Sequence, residues 1–184
     1  MLLLRHGQSY FNLHFSATRV DPGIEDPHLT PLGHRQAAAA AAALEARTIT
    51  RLIASPYTRA LETAEAVRRV HPVPLEVMHE VRERAAFVCD VGSAPAVLTQ
   101  RFPHHRFAHI PERWWSAGIE SLESTIARAD AFRAAMAARA DSATTLVVTH
   151  WAFILALTGR SLTNGQWLEY DPEQPAPARI DWHP

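Results

Sequence analysis

Residues 2–9, LLLRHGQS, carry an apolar run straight into Arg5 and His6. Two other apolar runs end in similar chemistry. LIA at residues 52–54 leads into SPYTR, which holds Arg59, and LVVT at residues 146–149 leads into His150. Histidine is a recognised covalent nucleophile, and a neutral imidazole can attack phosphorus. Paired guanidinium forks suit bidentate recognition of phosphate or carboxylate. A helix beginning after Ser55 would add backbone N–H donors for an anion. Such cations stabilise charge spread over phosphoryl oxygens. A departing alkoxide also needs a proton donor, and a carboxyl group whose pKa is raised by burial can serve. Glu83 and Glu80, at the entrance to an irregular stretch, are the candidates. Taken singly, a histidine at a strand end is most often structural and Arg59 would be a helix-surface charge. The weight comes from three strand ends with matching groups.

For these groups to meet, the strands must share an edge of one sheet. Leu2–Leu4, Arg51–Ser55, Val73–Val77 and Thr144–Thr149 read as strands. Pro31–Ala46 reads as a helix, with Thr30 able to cap it, Pro31 suited to the first position and an alanine run of high propensity. Tyr57–Val70, Ile119–Arg139 and a segment from Phe153 to near Gly159 read as further helices. Tyr10–Thr30 reads as loop, and residues 80–118 as a long excursion with short helical pieces, a pocket wall or lid. The Pro-rich tail from Asp171 reads as an edge strand or extended segment. Strands alternating with helices imply an α/β fold with a mostly parallel sheet. Ligands then bind beyond the C-terminal ends of the strands, where His6, His150, Arg5 and Arg59 would converge.

The chain has 184 residues, which suits one domain, residues 1–184, with a sizeable core. Net charge is -1, so nothing draws it to nucleic acid or an anionic membrane. All 18 basic residues are arginine, which excludes Schiff-base and P-loop lysine chemistry. Cys89 is the sole cysteine, so no internal disulfide framework exists. No apolar run of about 18 residues is present, and the N-terminus lacks a signal-peptide core, so a cytoplasmic protein is expected.

Further blocks extend the first. Leu4-Arg5-His6-Gly7-Gln8-Ser9 is followed by Asn12, then by His28-Leu29-Thr30-Pro31-Leu32-Gly33 with Gln36-Ala37. Ser55-Pro56-Tyr57-Thr58-Arg59-Ala60 continues to Glu62-Thr63-Ala64, then come Val81-Arg82-Glu83 and Val147-Val148-Thr149-His150. In this order the blocks resemble the histidine phosphatase superfamily, in its phosphoglycerate mutase-like branch. The resemblance spans residues 2 to about 160. It implies a three-layer α/β/α sandwich that uses no metal and no other cofactor. It implies His6 as nucleophile, Glu83 as proton donor and then base, and Arg5, Arg59 and His150 as holders of the phosphoryl group. Gly7, Ser9, Asn12 and Trp151 fall where members line the phosphate pocket. Two departures stand out. Trp151 replaces a frequent glycine after the second histidine, and the acid block continues as Ala85-Ala86-Phe87-Val88-Cys89-Asp90.

Other constellations compete less well. A cysteine phosphatase would want arginine six residues after Cys89, where Pro95 stands. His104, His105 and His109 have metal-like spacing, but Pro103 and Pro111 bracket them and no acidic ligand is close. Trp114 and Trp115 read as anchors of the long excursion rather than a stacking lid. The expected function is therefore a phosphatase acting on a small phosphomonoester. The rivals are a phosphoglycerate mutase, which must shield its phosphoenzyme from water, and a binding module without chemistry, which would not need both His6 and Glu83. Substrate selection would fall to residues 10–27 and 84–118, whose aromatics hint at an apolar or ring-bearing leaving group. Oligomeric state is left open.

Overall fold

A computed structural model describes residues 1–182. β1 (Leu2–Arg5), β2 (Arg51–Ala54), β3 (Leu75–Val77), β4 (Thr145–Thr149) and β5 (Trp167–Glu169) form one sheet, in the order β3-β2-β4-β1-β5. The first four run parallel, and β5 joins antiparallel to β1. Alternate residues serve two cores, as the two-residue period of a strand requires. Leu2, Leu4, Leu52, Leu146 and Val148 face one cluster, shared with α2 (Pro31–Ala43) and α3 (Thr58–Val70). Leu3, Ile53 and Val147 face the other, shared with α5 (Leu122–Ala137) and α6 (Trp151–Thr158). Helices therefore cover both faces, the α/β/α layering that the family resemblance implies. No helix among the described residues is long and apolar enough to cross a membrane.

Local chemistry explains most element ends. Thr30 caps α2 by accepting from the Gly33 N–H, and Pro31 occupies the first turn. α3 begins without a cap from its own Tyr57 side chain; the carboxylate of Asp26 accepts from the Thr58 N–H instead, at 2.8 Å. α6 ends at Gly159, whose φ of 69° is the left-handed geometry a helix C-terminus favours.

The structure corrects the sequence reading in several places, among them the end of α2, at Ala43 rather than Ala46, and the start of β3, at Leu75 rather than Val73. Tyr10–Thr18 is a helix, α1, where a loop was expected. Its signal is a capping box: Ser9 Oγ accepts from the Asn12 N–H, and Asn12 Oδ1 accepts from the Ser9 N–H. α5 starts at Leu122 rather than Ile119, because Ser121 provides the cap. α6 starts directly after His150, two residues earlier than expected. The edge strand is Trp167–Glu169, ahead of Asp171, while the proline-rich stretch beyond it forms no strand. Proline lacks the N–H a ladder needs. Residues 183 and 184 lie outside the described residues. The excursion from 80 to 118 carries short 3-10 turns at His79–Val81 and Val88–Asp90 and one helix, α4 (Pro95–Arg101).

Two glycines let β1's exit loop lie against α2. A Cβ on Gly7 would sit 2.3 Å from the Gly33 carbonyl oxygen, and one on Gly33 would sit 2.1 Å from that of Gln8. Alanine in place of Gly33 would normally add about 1 kcal/mol of helix propensity. Here the backbone clash should win. Gly33→Ala is expected to lose about 1–3 kcal/mol in urea unfolding. A stability gain would mean that the contact yields freely.

Candidate active site

The sheet register brings the candidate groups together. Arg5 lies opposite Thr149, and Ala54 opposite Val148, so β1, β4 and β2 end nearly level. The ladder continues one residue further: His6 N–H donates to the Thr149 carbonyl at 3.0 Å and Ser55 N–H to that of Val148 at 3.1 Å. The imidazoles of His6 and His150 consequently face each other, with ring centroids 5.0 Å apart.

His6 is almost wholly buried. Its Nδ1 lies 2.7 Å from the Gly7 carbonyl oxygen. A carbonyl can only accept, so Nδ1 carries the proton and Nε2 keeps its lone pair. Burial, then Arg59 and Arg5, hold the His6 pKa well below the usual histidine value. An unprotonated Nε2 at neutral pH is the form able to attack an electrophile. His150 is fully buried, and neither ring nitrogen has a hydrogen-bond partner among the described residues. Unpaired buried polar atoms are costly, so such a pair of nitrogens marks a place where a ligand can bond. Burial, Arg59 and His6 press its pKa well down too.

Two guanidinium groups flank the imidazoles. Arg5 Nη1 donates to the Leu162 carbonyl, while its Nε is buried without a partner among the described residues. Burial lowers its pKa to about 10, with Glu83 opposing the shift and Arg59 adding to it. It stays charged at neutral pH. Arg59 is held on three sides: Nη1 donates to the Cys89 carbonyl, Nη2 to Asp90 Oδ1, and its carbon lies 4.2 Å from the Tyr57 ring centre.

Glu83 stands at the head of α6. Its Oε1 accepts from the Ala152 N–H at 3.0 Å and the Arg84 N–H at 2.9 Å. Burial, followed by the charge of Asp90, raises its pKa, against those donors and the two arginines. Glu80 points elsewhere; its carboxylate is half-exposed beside His79. Arg5 and Arg59 are among the electrostatic neighbours of Glu83.

The remaining expected residues have narrower parts. Gly7 N–H is donated to Thr63 Oγ1. Ser9 Oγ is taken up in the α1 cap. Asn12 Oδ1 accepts from Ser9 and from Asn164 Nδ2, leaving the Asn12 amide Nδ2 as its donor group. Trp151 donates its indole N–H to Ser161 Oγ. Trp114 is a buried anchor, its indole N–H on the Ser93 carbonyl and its ring edge against Tyr57. His105 bonds Glu65 and His109 the Val77 carbonyl. Burial pushes the Cys89 thiol far up, so it is unsuited to nucleophilic attack.

Sequence reasoning missed Asp90 and Asp26. Asp90 joins Arg59, while its Oδ2 accepts from the Ala86 and Phe87 N–H groups. Asp26 gathers Thr58, Ser93 and Arg101. These side-chain partners lie about thirty residues or more away, so no local spacing announces those bonds. The strap of residues 86–90 forms one wall of an open groove of about 740 Å³, lined by Ala85, Phe87, Val88, Val91, Trp115 and Ile119 among others. Phe11, Phe15 and Phe87 form an aromatic trio beside it, with centroids 4.9–5.2 Å apart.

A family model described as the histidine phosphatase superfamily, branch 1, matches residues 1–180. The chain belongs to this family. Similar solved structures include a mycobacterial glucosyl-3-phosphoglycerate phosphatase, 24% identical, with 91% of this chain and 87% of that one covered at a TM-score of 0.63. Another is a phosphoserine phosphatase from Entamoeba histolytica in complex with 3-phosphoglyceric acid, 19% identical over 90% of this chain and 87% of that one, TM-score 0.59. A third is a candidate alpha-ribazole-5'-P phosphatase from Escherichia coli, 20% identical over 90% and 87%, TM-score 0.66. At these identities the likeness shows a shared fold. No curated protein matches the chain.

The depressed histidine pKa values have a consequence for stability. In the unfolded chain these imidazoles take up protons near pH 6.5, while in the folded chain they do not. Stability should therefore fall as pH drops below about 6.5 and recover above it. Urea midpoints measured from pH 7.5 to 5.5 should decline, and the decline should be shallower in His150→Asn. An equal slope in both proteins would place His150 in a solvated setting.

Proposed function

We propose that this member of the histidine phosphatase superfamily is a metal-independent phosphomonoester hydrolase that works through a phosphohistidine on His6. The observation that carries the reading is the His6 imidazole itself, whose Nδ1–H is committed to Gly7 and whose Nε2 is free beside two arginines and an unpaired histidine. The phosphoryl group docks among Arg5, Arg59 and His150, with the Asn12 amide as a further donor. Gly7 and Ser9 serve by shaping the loop, and Trp151 by closing the wall at the head of α6.

His6 Nε2 attacks phosphorus in line, the P–N bond forms and the P–O bond to the leaving group breaks. Glu83, whose pKa burial and Asp90 raise, gives its proton to the departing oxygen. The Glu83 carboxylate then takes a proton from water as the water oxygen attacks phosphorus. The P–N bond breaks, and phosphate and neutral His6 are regenerated. Glu83 fits the donor role better than Glu80, since Glu83 is bonded at the head of α6 while the Glu80 carboxylate is half-exposed beside His79.

The phosphatase names of the similar structures favour hydrolysis of a small ester over mutase chemistry.

p-Nitrophenyl phosphate should be hydrolysed in excess EDTA, and His6→Ala should lower kcat by about 10³-fold or more. Enzyme quenched in alkaline detergent should carry a phosphoryl group that is stable to alkali and released by acid. Full activity in His6→Ala would overturn the reading. Glu83→Gln should cut turnover of an alkyl phosphate by about 10²–10⁴-fold and that of p-nitrophenyl phosphate far less, because nitrophenolate leaves without a proton.

A further inference from the structure

Arg59 is a buried cation whose fork could rotate among several positions; what selects one is on the other side of it. Asp90 and Arg59 are 2% and 3% exposed in their side chains, and Oδ1 meets Nη2 at 3.1 Å. Asp90 is itself fixed at every polar point. Oδ2 accepts from the Ala86 and Phe87 N–H groups at 3.0 and 3.2 Å, and the Asp90 carbonyl accepts from Tyr57 Oη–H at 2.6 Å. The neighbouring Cys89 carbonyl takes the other arm of the fork. A buried carboxylate with this many donors is a rigid support rather than a loose counterion.

We propose that Asp90 is a positioning residue, which fixes the Arg59 guanidinium and gives the site a countercharge to its two arginines. The proposal rests on the phosphohistidine reading above and assigns a part to a residue outside its chemical steps.

The countercharge matters because of where Glu83 sits. Facing it are Arg5 from β1, Arg59 from α3, Asp90 from the strap, the Arg84 N–H of its own segment, and the Ala152 N–H at the head of α6, next to His150. Both arginines, both N–H donors and the positive end of α6 favour the carboxylate. Burial and Asp90 oppose them and favour the acid, the form that can donate a proton. Removing the Asp90 charge while keeping its shape should thus make Glu83 ionise at lower pH. It should also loosen the Arg59 fork.

The test compares wild type, Asp90→Asn and Asp90→Glu over a pH series, with glycerol phosphate as the poor leaving group and p-nitrophenyl phosphate as the good one. Asp90→Asn should raise KM for both esters by about three-fold or more. With glycerol phosphate, the alkaline limb of kcat/KM should move down by about half a pH unit or more; with p-nitrophenyl phosphate it should move less. Asp90→Glu keeps the charge but not the reach, so its limb should stay near that of wild type while KM rises. Folded Asp90→Asn with an unmoved limb and an unchanged KM overturns the proposal. If Asp90→Asn does not fold, Asp90→Glu decides: a retained limb with raised KM supports it, and a shifted limb or an unchanged KM overturns it. The His6→Ala control separates the two readings. Loss of turnover and phosphoenzyme there upholds the phosphohistidine whatever Asp90 does.

Discussion

The level ending of β1, β4 and β2 is the constraint on which the rest depends. Parallel strands that stop in register put successive residues at the same height, so His6 and His150 meet because Arg5 pairs with Thr149. The backbone bond from His6 N–H to the Thr149 carbonyl extends the ladder by one residue, through His6. A histidine held by a ladder bond and a side-chain bond to Gly7 has little freedom left. Gly7 and Gly33 permit this, because the chain leaving the sheet must pass at backbone contact distance from α2.

Burial then sets the charge of each group. Both imidazoles lie between arginines in an apolar surround, and both effects favour the neutral ring. The same burial keeps Glu83 toward its acid form. Arg59 responds differently. Burial opposes its charge, but its neighbours Cys89, Asp90 and Tyr57 raise its pKa. One cluster thus holds neutral bases, an acid whose pKa is raised and fixed cations side by side. Such separation of protonation states among close groups is what acid–base chemistry at a phosphoryl centre requires.

Around this cluster the long excursion is a support rather than a loose lid. Trp114 locks it against Tyr57, Asp26 ties residues 93 and 101 to the start of α3, and Asp90 grips Arg59. The apolar groove opens on the outer side of that strap, where Phe87 joins Phe11 and Phe15. The strap therefore both grips Arg59 and lines the groove.

The sequence by itself determined the sheet, both outer layers, and four of the five strands, because buried strands and a capped alanine-rich helix carry their signals within a few residues. It also determined that His6, His150, Arg5 and Arg59 would share an edge, since parallel order follows from alternating strands and helices. α1 was legible only through its Ser9–Asn12 box, because its nine residues have a weak apolar face and rest on Phe11 packing against Phe87. β5 was too short to announce itself and is held by pairing with β1. Asp90 and Asp26 depended wholly on the tertiary structure. Each carboxylate acquires its part from partners about thirty positions or more along the chain, Arg59 for one and Thr58 for the other. Protonation states were likewise decided there, because desolvation and charge proximity exist only once the strands have brought the groups together.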